Sequence, residues 1–348
     1  MLYIFPSVDV EGVHGDKPFS QMARGEIGLA EDWGALCLAR LFVDCCVEGT
    51  FFVDVYESSL YGENVVGKLC QEIDALGQDV QLHTHPSWRD DPRDFEALRK
   101  LKRSRCFMPQ TKDFLYKCSL EEQIELISWG SNFLSNFLGK RPVAHRAGGY
   151  GADENTLRAL SELGFAIDSS MFVHPNCRLD LKKNSIDFKH GVLQIPITGF
   201  EKHQRLTLGA ELSRRHFPFF RTGVDDCGLD ELLWFVDEMA GSGTRVMNLF
   251  MHSYSLLDFD KTFAWFRPSE SRRQKLRNFL KQIRHRDDVK VISMREFYET
   301  QIQSLPLEQI VHSKDLIPSR IESIPLADIA IGKAKKQFLS LRSKVTLG

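Results

Sequence analysis

Short apolar runs rich in β-branched and aromatic residues alternate with longer amphipathic stretches along most of this chain, and that alternation limits the folds open to it. Strands are expected over Leu2–Val8, Gly49–Val55, Asp79–Leu82, Pro142–His145, Phe165–Ile167, Val192–Ile197, Arg245–Met251 and Val289–Ile292. Helices are expected between most of them, over Glu31–Val47, Asn64–Leu76, Pro92–Arg103, Leu120–Leu138, Glu154–Leu163, Asp230–Met239, Glu270–Ile283 and Met294–Ile302. Ser119 with Glu122 reads as a capping box, and Gly139 follows that helix as its C′ residue. Asp153 can cap the next helix and Gly164 stands at its end. Such alternation argues for an α/β chain with a mainly parallel sheet, open or closed into a barrel.

The chain has 348 residues, 43% of them hydrophobic and 26% charged, within the ordinary range for globular proteins. Its net charge of −2 provides no basic field for nucleic acid. No apolar run approaches the ~18 residues that span a bilayer. No basic segment followed by an apolar one opens the chain, so a cytoplasmic location is expected. The eight cysteines form no C-x-x-C pair, and free thiols are expected rather than a disulfide framework. Phe217–Phe220 and a Gly-Val-Asp-Asp turn mark 198–229 as a long insertion beside the site. Beyond residue 302 a partly helical extension, 303–348, is expected. Its last part, 332–348, carries Lys333, Lys335, Lys336, Arg342 and Lys344 and no acid, which suits a solvated helix or peripheral contact with an anionic membrane.

The polar residues with chemical capacity fall at the C-terminal ends of the expected strands. Asp9 and Glu11 follow the first, two residues apart and so on one face. A carboxylate pair there suits metal binding or acid/base work. His83 and His85 close the third strand, and a His-x-His pair is a reasonable two-ligand arrangement. Arg146 follows Pro142–His145, Asp168 follows Phe165–Ile167, and His252 follows Arg245–Met251. In parallel α/β architectures those ends share one face, where active sites gather.

This ordered set resembles the polysaccharide deacetylase superfamily (NodB-homology, carbohydrate esterase family four). More narrowly it resembles the WalW/WbmS-like branch associated with bacterial surface-polysaccharide synthesis. Asp9-Val10-Glu11 is similar to the family's strand-end Asp-x-Asp motif. His83-Thr84-His85-Pro86 looks like its His-Thr-x-x-His-Pro motif shortened by two residues. Arg146 to Gly151 loosely matches Arg-x-x-Tyr-Gly with one extra glycine, Leu249 to His252 matches Leu-x-x-His, and Gly49-Thr-Phe-Phe-Val53 is also characteristic. The resemblance runs from about Leu2 to about Tyr298. It implies a single-domain, distorted (β/α) barrel over 1–302 and a metal-dependent hydrolase acting on a non-peptide C–N bond.

On that resemblance, a divalent ion held by Glu11, His83 and His85 is implied, zinc by default with iron, cobalt or nickel compatible. Asp9 is implied as base, held by Arg146, and His252 as acid, oriented by Asp168. Tyr150 and Gly149 are implied at the oxyanion, and Trp88 at the sugar. Phe51, Tyr254 and Trp265 are further candidates for apolar walls, and His14 and His174 for positions near the pocket. The implied substrate is an N-acetylated amino sugar, nucleotide- or lipid-linked, in O-antigen or capsule synthesis. Hydrolysis of another amide, such as a formamido sugar, or a catalytically silent carbohydrate-binding protein are the alternatives.

Overall fold

The computed structural model describes residues 1–12, 32–86, 113–206, 219–259, 266–311 and 314–324. The expected helix Pro92–Arg103, Trp88, Trp265, His14 and the basic stretch 332–348 lie outside them. Two compact units are present: Met1–Gly199 with Arg221–Leu316, and Phe200–Phe220 with Ile317–Gly348.

The first unit is built on one large sheet. Its strands are β1 (Leu2–Val10), β2 (Thr50–Asp54), β3 (Asp79–Thr84), β4 (Ala144–Ala147), β5 (Ile167–Asp168), β6 (Asp187–Lys189) and β7 (Val192–Gln194). Further along, β8 (Gly199–Leu206) and β9 (Phe219–Arg221) precede β10 (Val246–His252), and β11 (Leu257–Phe259) pairs antiparallel with β12 (Phe266–Pro268). Then come β13 (Val289–Val291) and, in the second unit, β14 (Ser319–Ile324), which pairs parallel with β8. The order in the large sheet is β10-β1-β2-β3-β4-β5-β7-β6, with β13 beside the start of β1. All its pairings are parallel except the β6–β7 hairpin. The helices α1 (Ala35–Asp44), α2 (Glu63–Ala75), α3 (Leu120–Leu138), α4 (Glu154–Glu162), α5 (Leu229–Ser242) and α6 (Glu270–Ile283) alternate with the strands.

The sheet curls until its two sides meet. Asn248 N–H donates to Thr198 Oγ1 at 2.8 Å, and Phe250 N–H to the Thr222 carbonyl at 2.8 Å. Thr222 N–H donates in turn to the Thr198 carbonyl at 3.0 Å. This seam gives the distorted (β/α) barrel that was expected. Every residue of β1, β2 and β3 is buried, as it must be for parallel strands covered on both faces. Tyr3, Phe5, Phe52, Ile167, Leu193, Ile195 and Ile292 belong to one apolar cluster.

Local signals place the helices as expected. Ser119 Oγ accepts from Glu122 N–H while Glu122 returns a carboxylate to Ser119 N–H, and Gly139 closes α3 in the left-handed region at φ 67°. Asp153 caps α4 through Thr156 N–H. The strands run further than the apolar patterns suggest. β1 continues to Val10 because Ser7–Val10 pair with β2 while Tyr3–Asp9 pair with β10. Asp9, His83, Arg146 and His252 therefore lie within strands, not after them. Cys37, Cys45, Cys46, Cys70, Cys118, Cys177 and Cys227 are free thiols.

Candidate active site

Parallel register brings the strand-end residues together. Asp9 stands opposite His252, Asp54 opposite His83, His83 opposite Arg146, and His145 opposite Asp168. Adjacent strands lie about 4.8 Å apart, so neighbours in such a row come within side-chain reach.

Arg146 is the anchor. It is fully buried, and its Nη1 donates to Asp9 Oδ1 at 2.6 Å. Nη2 donates to Ser7 Oγ and Ser169 Oγ, each at 2.9 Å, and Nε to the Ser169 carbonyl at 3.2 Å. Asn248 Nδ2 donates to the same Ser169 Oγ at 2.9 Å, and the guanidinium lies 4.1 Å from the Phe52 ring centroid. A cation in this setting requires such saturation, since its desolvation otherwise costs several kcal/mol.

Glu11, His83 and His85 form the donor cluster, with one ligand atom from each lying within 4.8 Å of the others. Glu11 Oε2 is 2.8 Å from His85 Nε2 and 3.5 Å from His83 Nε2. Each ring commits its other nitrogen elsewhere. His83 Nδ1 donates to the Arg146 carbonyl at 2.9 Å, and His85 Nδ1 to Asp113 Oδ1 at 3.1 Å. Both Nε2 atoms thus face the carboxylate, the arrangement that outer-sphere partners impose on metal-binding histidines. Burial opposes ionisation of Glu11, but its bonds to His83 and His85 outweigh that and hold its carboxyl well below the usual range. Burial likewise disfavours a charged His85, yet Asp113 and Glu11 raise it well above an ordinary histidine. A divalent ion could be held by these three atoms in place of the direct Glu11–His85 contact. The donor set fits such an ion.

The glycines of the third motif make room for this cluster. A Cβ built on Gly148 would fall onto the His85 ring, so the backbone there closes directly against the imidazole. Gly149 has φ 55° and Tyr150 φ 63°, the second a costly conformation for a residue with a side chain. Tyr150 packs against Phe172, His174 and Phe250 at centroid distances of 4.9, 5.1 and 6.3 Å.

His252 approaches the cluster from β10, with Nε2 3.4 Å from Glu11 Oε1. It stacks on Tyr254 at 4.6 Å and meets Phe250 edge-on at 4.8 Å. Burial pushes its imidazole down to about 4. Asp168 does not orient it. Its carboxylate accepts from Gln194 Nε2 at 2.6 Å and Ser170 Oγ at 2.7 Å, and bonds His145 Nδ1 at 2.8 Å. The expected Asp168–His252 pair is replaced by Asp168–His145 because β5 lies beside β4, not β10. Phe51 is fully buried, whereas Tyr254 Oη is 3.4 Å from Glu11 Oε1.

Three residues here were not singled out from the sequence. Asp113 holds His85, and nothing in its local pattern marks it. Asp54 is buried at the end of β2, and among the described residues its Oδ2 has no hydrogen-bond partner. Burial pushes its carboxyl well above the usual range, with Glu57 and Glu11 adding to the shift. Arg221 closes β9 and donates to Tyr150 Oη at 3.0 Å. The strand-end rule that marked Asp9 and His83 also covers Asp54, whereas Arg221 ends a strand of the separate β14-β8-β9 sheet, which no apolar pattern marks.

The chain has the α/β half-barrel architecture of polysaccharide deacetylases. A structure of a protein assigned as a polysaccharide deacetylase from Mycobacterium smegmatis superposes with a TM-score of 0.54 at 17% identity, covering 88% of this chain and 92% of that one. Another so assigned, from Pseudomonas aeruginosa PAO1, gives a TM-score of 0.50 at 13% identity over 86% of this chain and 92% of that one. At these identities the similarity is one of fold. No family model and no curated protein matches the sequence.

Proposed function

We propose that this protein is a hydrolase that removes an N-acyl group, in the simplest case acetyl, from an amino sugar. The convergence of Glu11, His83 and His85 beside an Arg146-tethered Asp9 is the observation that carries this assignment. Glu11 Oε2 and the two Nε2 atoms would hold the divalent ion. Zinc suits two imidazoles and one carboxylate, and iron, cobalt or nickel accept the same donors. When bound, such an ion supplies Lewis-acid polarisation of the amide carbonyl and acidifies water.

The remaining work belongs to the chain. Asp9 presents Oδ2, the oxygen not engaged by Arg146 Nη1, and takes the proton from the attacking water. Arg146 fixes the orientation of that carboxylate through Oδ1. The developing oxyanion lies against the backbone N–H groups of the Gly148–Tyr150 turn. His252 protonates the leaving nitrogen. Burial keeps its imidazole neutral at rest, so the proton that Asp9 takes from water passes to His252, which stands opposite Asp9 in the strand register, and from there to the leaving nitrogen as the C–N bond breaks. Asp168 has no part in this path.

We assign the substrate to the amino sugars of bacterial surface polysaccharide, met as nucleotide- or lipid-linked intermediates in the cytoplasm. Among the described residues no helix is long and apolar enough to cross a membrane. The decisive experiment measures bound metal together with acetate release from N-acetylated amino sugars, for the wild type and His83→Ala. The wild type should carry one ion per chain and release acetate, and the variant should lose both. Full activity in a metal-free chain sinks the assignment, and release of formate instead from a formamido sugar moves it to the neighbouring amide.

A further inference from the structure

The rim of the site beside Tyr150 carries two donor side chains, Arg221 and His174, while the acids nearest Arg221 are engaged, Asp225 by Ser255 Oγ at 2.5 Å and Asp226 by Arg221 itself. Arg221 stands half-buried, with Nη1 on Tyr150 Oη at 3.0 Å and Nε on Asp226 Oδ2 at a long 3.4 Å. Its Nη2 amino group has no acceptor among the described residues. The guanidinium lies 4.8 Å from the Phe250 centroid, and Phe250 is the ring that His252 meets edge-on. On another side of Tyr150 is the exposed His174, 5.1 Å away between centroids. Its Nδ1 accepts from Asn176 N–H at 3.2 Å, so its neutral ring carries the proton on Nε2 and donates there. The clustered acids Glu11, Asp9 and Asp113 are already engaged with His85, Arg146 and one another's partners. A cation with a spare amino group and an imidazole donor, set beside an aromatic ring, match a group that only accepts.

We infer that Arg221 and His174 form a specificity site for an anionic group, carboxylate or phosphate, carried by the substrate next to the N-acyl amino sugar. This rests on the proposed function, since it places the anion relative to the same catalytic residues. Arg suits either anion because its planar fork can present two parallel N–H donors. A charge-assisted bond of this kind typically changes affinity by about ten- to hundredfold.

The test measures binding of three probes by calorimetry on the metal-loaded full chain: N-acetylglucosamine, its 6-carboxylate (the uronic acid) and its 1-phosphate. Wild type should bind at least one anionic probe about tenfold or more tighter than the neutral sugar, and whichever probe it is identifies carboxylate or phosphate. Arg221→Met should bring that ratio close to one, Arg221→Lys should retain part of it, and His174→Ala should reduce it. Equal affinities in the wild type, a ratio unchanged in Arg221→Met and Arg221→Lys, or no binding of any probe overturns the inference. Acetate release is read separately on the same samples. Discrimination without acetate release removes the hydrolase assignment and keeps the anion site, and acetate release without discrimination does the reverse.

Discussion

Arg146 Nη1 donates to Asp9 Oδ1 at 2.6 Å although the two residues lie 137 positions apart, and this bond sets Asp9 apart from its neighbour Glu11. With one oxygen held by the guanidinium, Asp9 keeps only Oδ2 facing His83 Nε2, at 3.8 Å. Glu11 carries no such tether and reaches both imidazoles.

Asp9→Asn should therefore keep stoichiometric metal and lose turnover by about 10²–10⁴-fold, the usual contribution of a positioned base. The amide oxygen can still accept from Arg146, so the fold should survive. Metal analysis beside acetate release checks this. Loss of the ion in Asp9→Asn would make Asp9 a ligand and return Glu11 to another role.

Asp113→Asn should weaken metal binding by about 10–100-fold while leaving the fold intact, because an anion on Nδ1 makes His85 a better donor through Nε2. Competition with a chromophoric chelator measures the change. An unaltered affinity would show that Asp113 only fills space beside the ring.

Gly148→Ala should disturb the same histidine from the other side. The added methyl collides with the His85 ring, so the ring or the turn must move. We expect metal affinity to fall about tenfold or more, with a smaller loss from Gly151→Ala, where the collision is with Phe114. Equal effects at the two positions would remove the special role given to Gly148.

His145 gives a pH dependence with a defined sign. Burial depresses its folded-state value below the ordinary 6.5 despite the Asp168 partner. Between those two values the unfolded chain binds the extra proton, so stability rises with pH there. The stabilisation is complete above about 6.5 and is lost as pH falls through the depressed value. Denaturant midpoints measured from pH 8 to 5 with chelator present should decline less steeply in His145→Gln than in the wild type. Parallel slopes would show that His145 does not contribute.

Much of the site was legible because strand ends in parallel sheets share one face. That rule selected Asp9, Glu11, His83, Arg146 and His252, and the structure draws them together. Helix limits set by local chemistry were also legible, as the Ser119–Glu122 box and Gly139 show. Strand limits were less so. β1 and β3 run on through their polar residues because partners on both sides pair with that backbone, which no apolar pattern records.

The sequence by itself determined which residue types stand at which strand ends, because backbone alternation and capping are local. Only the tertiary structure decided their partners. Strand order put Asp168 beside His145 instead of His252, and Asp113 supplied the anion behind His85. The seam through Thr198 and Thr222 leads into Arg221, which bonds Tyr150 Oη. Hydrogen bonds and ion pairs act over a few ångströms between residues far apart in the chain. Their choice therefore follows from how the sheet curls, and spacing along the sequence does not encode it.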